Sequence, residues 1–270
     1  MDDDNYIDQL LKQALSPVVE PDEVINKKIM NCLKEKNTMK IKFKKRYVVP
    51  VIAIVCMIMM TFTAFAAWKL LNSKEVAKNL NDEGLASAFD SKEAIEINQT
   101  IVSGGFSITL HGIVSGEGLS DFRSSAEDIY PERTYAVVSI TKEDGSPMPS
   151  SQDEEYGKVP FFVSPLIKGQ KPWMLNIASM NGGYSEFVKN GIMYRLIECD
   201  GVEIFSDRGL YLCVSNTDFY DNTAFDYNEE TGEVSPNTSF TGVNALFDLP
   251  LDVSKADNAA AEKYLQEIMQ

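Results

Sequence analysis

The strongest feature of the hydrophobic pattern is a run with no polar face. Tyr47 to Trp68 (YVVPVIAIVCMIMMTFTAFAAW) contains no charged residue. As a helix its 22 residues would span about 33 Å, and a bilayer core is about 30 Å thick. Tyr47 and Trp68 stand at its two ends, where amphipathic rings favour the membrane interface. Pro50 falls in the first turn, where a missing N–H costs little. The run therefore predicts one transmembrane helix over residues 47–68. A buried globular helix fits less well, because it would show an amphipathic stripe. A cleaved signal peptide is the competing reading, since Ala64-Phe65-Ala66 forms an A-x-A site. Such peptides total about 15–30 residues with an apolar core of about 7–15, and here 46 residues precede a longer core.

Ahead of this run the apolar positions recur at helical spacing. Ile7, Leu10, Leu11 and Leu15 share one face of a helix predicted over Asn5–Leu15, which Ser16-Pro17 ends. A second helix is predicted from Asp22 to about Lys34, with Val24, Ile25, Ile29, Cys32 and Leu33 as its apolar face. Helices this short do not make an independent core. Their faces must rest on each other, on the membrane surface, or in a groove on a partner protein. Ile7, Leu10, Leu11, Leu15, Ile25, Ile29 and Leu33 are the candidate partner-binding residues.

Beyond the run the period changes. Residues 69–93 read as a linker, helical or irregular over 73–92. From Ala94 onward the pattern is mostly β. Strands are predicted over Ile95–Val102 and from Phe106, with Gly104-Gly105 as a hairpin turn. Phe106, Ile108, Leu110 and Gly112 alternate there with Ser107, Thr109 and His111. Further strands are predicted over Arg133–Thr141, Pro160–Lys168, Ile192–Cys199, Val202–Phe205 and Gly209–Ser215. Asp144-Gly145, Asn190-Gly191, Asp200-Gly201 and Arg208-Gly209 mark turns, and Asp226–Val234 reads as a hairpin around Thr231-Gly232. A helix is predicted near Asp257–Met269. Residues 94–270 thus form a mainly β, sandwich-like domain with peripheral helices.

Charge adds a direction. Residues 1–46 carry net +2, and Lys34, Lys36, Lys40, Lys42, Lys44, Lys45 and Arg46 crowd against the apolar run. Residues 69–270 carry net −17. The positive-inside rule then places the N-terminus in the cytoplasm and the β domain outside the cell membrane. The basic stretch is explained as a topology signal touching anionic lipid, and no nucleic-acid partner is expected. Cys199 and Cys213 lie in two predicted strands; they could pair, or stand as buried free thiols.

Candidate chemistry is sparse. The chain has one histidine and no G-x-S-x-G, H-E-x-x-H, Walker or G-x-G-x-x-G pattern. His111 reads as solvated or hydrogen-bonded rather than catalytic. Asp153-Glu154-Glu155 and Glu229-Glu230 read as solvated surface, and Asp218, Asp221 and Asp226 lack calcium-loop spacing. Phe219, Tyr220, Phe225, Tyr227, Phe240 and Phe247 are expected in the core; several exposed together would instead make a carbohydrate or peptide platform. No enzyme activity, metal or cofactor is expected.

The layout resembles a family of Gram-positive bacterial single-pass membrane proteins described as anti-sigma-factor-like, whose extracytoplasmic C-terminal domain is uncharacterised. The similar pieces are Asp8-Gln9-Leu10-Leu11, Ala14-Leu15, Pro21 and Thr63-Ala64-Phe65-Ala66. In the β part they are Tyr135-Ala136-Val137-Val138, Asp144-Gly145, Ser206-Asp207-Arg208-Gly209-Leu210-Tyr211 and Phe247-Asp248-Leu249-Pro250-Leu251-Asp252. The resemblance implies that the cytoplasmic helices hold a sigma factor and that the outer domain senses an envelope ligand. It departs from the zinc-type members in lacking a His-x-x-x-Cys-x-x-Cys motif.

Overall fold

A computed structural model describes residues 70–268 of the chain. The two predicted cytoplasmic helices and the run from Tyr47 to Trp68, Pro50 included, lie outside the described residues. Among those described, no helix is long and apolar enough to cross a membrane.

The described part is mainly β with three short α-helices. Helices α1 (Ser73–Asn79) and α2 (Glu83–Phe89) come first. Asn72 caps α1 reciprocally with Glu75, and Asp82 caps α2 by accepting from Leu85 N–H at 2.8 Å. The strands follow as β1 (Ile95–Ser103), β2 (Phe106–Glu117), β3 (Glu132–Lys142), β4 (Phe162–Ile167), β5 (Gly183–Lys189), β6 (Ile192–Asp200), β7 (Leu210–Ser215), β8 (Phe225–Tyr227), β9 (Val234–Pro236) and β10 (Asn244–Asp248). Helix α3 (Asn258–Ile268) ends the described chain.

Five strands form one antiparallel sheet in the order β1-β2-β3-β6-β5, three form a second in the order β10-β7-β4, and β8 pairs with β9. The main buried cluster draws Ile108, Leu110, Val138, Ile140 and Ile197 from the larger sheet and Val163, Leu212, Val214 and Phe247 from the smaller. It also takes in Ala261, Tyr264 and Leu265 of α3. A second cluster joins Val76, Leu85 and Phe89 of α1 and α2 to Val137, Tyr194 and Leu196 of the larger sheet. That sheet therefore contributes apolar residues to both clusters, which is why β2, β3 and β6 are buried almost throughout.

The alternation in β2 does not run through: the register shifts between Leu110↔Val138 and Gly112↔Val137, so His111 is an extra, bulged residue. Ile108 and Leu110 join the main cluster before the bulge and Ile113 joins it after, so the phase inverts. Val202–Phe205 is not a strand. The chain leaves the sheet at Gly201, whose N–H donates to Glu132 C=O, and Glu203–Phe205 forms a 3-10 turn. Strands β5 and β10 were not foreseen. The hairpin around Gly104-Gly105 forms as expected, with φ of 57° and 81°, and the expected turn at Asn190-Gly191, with φ of 53° and 75°, proves to join β5 to β6 as a second hairpin.

Candidate functional site

Three places in this fold gather polar or aromatic groups. The first is an ion network at the ends of β3 and β6. Arg133 Nη1 lies 2.5 Å from Asp200 Oδ1, and both side chains are buried. Asp200 Oδ2 also accepts from Asn181 Nδ2 at 2.8 Å and from the Tyr264 hydroxyl at 2.7 Å. A parallel network joins β5 to β6, where Arg195 donates to Glu186 through Nε and Nη2, and the Tyr156 hydroxyl donates to the same carboxylate. These bonds join strands to a loop and to helix α3, so both networks are structural, although Arg133 Nε is buried without a hydrogen-bond partner. Sequence reasoning missed them. Arg133 reads as a strand end and Asp200-Gly201 as a turn, and only the register Arg133↔Asp200 brings them together.

The second place surrounds His111. Its Nε2 is 2.8 Å from Ser139 Oγ, and the ring is buried. Burial holds its pKa near 4, so it is neutral at physiological pH. It forms part of the wall of a cleft of about 210 Å³, with Ser73, Lys74, Asp90, Glu96 and Asn98 among its neighbours. Ligand pockets usually enclose about 300–1,000 Å³. The bond to Ser139 is the hydrogen-bonded alternative expected from the sequence, and burial corrects the solvated one.

The third place is an exposed aromatic surface on two adjacent loops. Met174, Phe219 and Tyr220 are 54%, 40% and 73% exposed. The loops are fastened by Asn176, a buried residue whose Nδ2 donates to Pro172 C=O at 2.9 Å and to Phe219 C=O at 2.8 Å. Phe219 and Tyr220 rings lie 4.4 Å apart, and Trp173 packs edge-on against Tyr227 at 6.2 Å. The core expectation holds for Phe225 and Phe247, which are buried, and fails for Phe219 and Tyr220. Trp173 and Met174 were not singled out in the sequence, because nothing in it places their loop beside residue 219.

The remaining candidates are accounted for locally. Asp218 accepts from Tyr220 N–H, and Asp221 accepts from Thr223 and Ala224 N–H, as turn-forming carboxylates do. Asp153 caps Ser150, Glu155 pairs with Lys158, and Glu229 pairs with Lys171. Among the described residues no three His, Cys, Asp or Glu side chains converge as a metal site. Cys199 and Cys213 are free and buried, and burial pushes both thiols up to about 12. The candidate partner-binding residues Ile7, Leu10, Leu11, Leu15, Ile25, Ile29 and Leu33 lie outside the described residues. Comparison with family models, curated proteins and solved structures gives no significant match.

Proposed function

We propose that the chain is a single-pass membrane regulator resembling anti-sigma factors. Residues 1–46 stand in the cytoplasm, and their apolar faces at Leu10, Leu11, Ile25 and Ile29 hold a sigma factor. Tyr47–Trp68 anchors the chain in the bilayer. The mainly β part, read as a sandwich, stands outside and senses an envelope ligand. One observation carries the reading: a 22-residue uncharged run separates a basic stretch from a part with net charge −17. That sequence of segments fits an anchored chain working on two sides of a membrane.

A second reading is a surface-displayed binding module, in which residues 1–46 only orient and anchor. The exposed rings of Phe219 and Tyr220 favour it, since such a surface binds without help from the N-terminal segment. Capture separates the two. The full chain in nanodiscs is incubated with lysate of the native host, beside Leu10→Asp/Leu11→Asp. The regulator reading expects a sigma subunit retained by the wild type and lost in the variant. Absence of a sigma subunit from the wild-type capture, or equal capture by both, would leave the display module standing.

A further inference from the structure

The exposed aromatic surface has a charge as well as a shape. Lys171, three residues before Met174, is paired with Glu229 at 2.7 Å. Asp218 and Asp221, which bracket Phe219 and Tyr220 in the chain, make no ion pair among the described residues. Two exposed rings are thus bracketed by two carboxylates that have no cationic partner, on a part of the chain with net charge −17. The rings are held outward by a fixed base. Asn176 spends both amide hydrogens on the Pro172 and Phe219 carbonyls, Asp218 accepts from Tyr220 N–H, and Asp221 fastens the turn that follows by accepting from Thr223 and Ala224 N–H.

We propose that this surface binds cationic amphipathic peptides. The apolar side of such a peptide covers Met174, Phe219 and Tyr220, and its Lys or Arg side chains meet the Asp218 and Asp221 carboxylates. Ring faces add attraction for the same cations. A polyanion is repelled by this surface, and an uncharged glycan leaves the carboxylates without a partner, so charge complementarity selects the peptide. The proposal deepens the sensing role given above, because it names the chemistry of the signal.

The test uses the full chain in micelles of an uncharged maltoside detergent. The probe is a fluorescent 14-residue peptide of Leu and Lys in helical amphipathic order, beside a Leu/Ser peptide of the same pattern. Phe219→Ser/Tyr220→Ser is expected to weaken Leu/Lys binding at least tenfold. Asp218→Asn/Asp221→Asn, which keeps the Oδ1 acceptors of both turns, is expected to weaken it several-fold and to flatten its salt dependence. The unfolding midpoint of each variant, compared with wild type, controls for loss of fold. Equal affinity in wild type and the aromatic variant overturns the proposal. So does equal binding of the Leu/Ser peptide, or binding of a neutral oligosaccharide at the rings in place of the peptide. Micelles have no sides, so a positive result stands even if capture of a sigma subunit fails.

Discussion

Arg133 and Asp200 face each other directly across β3 and β6, and their charges meet at 2.5 Å with almost no exposure. The same carboxylate receives the Tyr264 hydroxyl, so one buried pair joins two central strands to helix α3. Removing one partner of a buried pair leaves the other charge uncompensated, at a cost of about 3–5 kcal/mol. Arg133→Met is therefore expected to destabilise the β part by about that amount. Tyr264→Phe is expected to cost about 1.5–3 kcal/mol, the range for a hydrogen bond to a charged group. Urea unfolding followed by near-ultraviolet circular dichroism checks both. A loss below 1 kcal/mol for Arg133→Met would mean that the pair does not hold the strands.

His111 gives the stability a pH dependence of known sign. Its ordinary pKa of 6.5 falls to about 4 in the fold, because burial disfavours the imidazolium. Between those values the unfolded chain binds a proton that the folded chain does not, so stability falls as pH drops from 6.5 towards 4. The full difference is about 3 kcal/mol. Glu198 works the other way, since burial raises its carboxyl. Comparison with His111→Asn isolates the histidine: the wild type should lose more stability than the variant on acidification from pH 7 to 4.5. Parallel profiles would contradict the assignment.

Two adjacent glycines should respond differently to alanine. A Cβ on Gly104 would come within 2.6 Å of the Gly242–Val243 backbone, whereas one on Gly105 meets nothing within 4 Å. Both have positive φ, so each substitution strains the turn by about 1–3 kcal/mol. Gly104→Ala adds a backbone clash and is expected to cost at least about 1 kcal/mol more than Gly105→Ala. Thermal unfolding of the two variants measures the difference. Equal costs would mean that the β1–β2 turn does not pack against residues 242–243.

The thiols of Cys199 and Cys213 should be inert in the folded state. In a chain carrying Cys32→Ser and Cys56→Ser, Ellman's reagent is expected to react with neither until denaturant is added, and then with both. Fast reaction of either thiol in the native protein would contradict its burial.

Much of the β architecture is legible where local chemistry decides it. Gly104-Gly105, Asp144-Gly145 and Asn190-Gly191 need positive φ, so their turns announce themselves. The β-branched run Arg133–Thr141 likewise reads as a strand. Legibility fails where a distant partner decides. The bulge at His111 depends on pairing with Val137 and Val138, and nothing local signals it. Gly183–Lys189 becomes a strand because β6 lies beside it, despite a half-exposed pattern without clear alternation. The aromatic surface was visible only as a density of rings. Whether they face inward depends on Asn176 fastening a second loop to Phe219.

The proposed function and the peptide site as a sensor both depend on one chain working in two compartments. Cysteine labelling tests this directly. In intact cells of the native host, a membrane-impermeant maleimide is applied to chains carrying a single cysteine, either the natural Cys32 or an introduced Glu230→Cys, with the other cysteines changed to serine. The account predicts labelling at position 230 in intact cells, and at Cys32 only after the cells are made permeable. Labelling of Cys32 in intact cells, or of both positions only after permeabilisation, would contradict it.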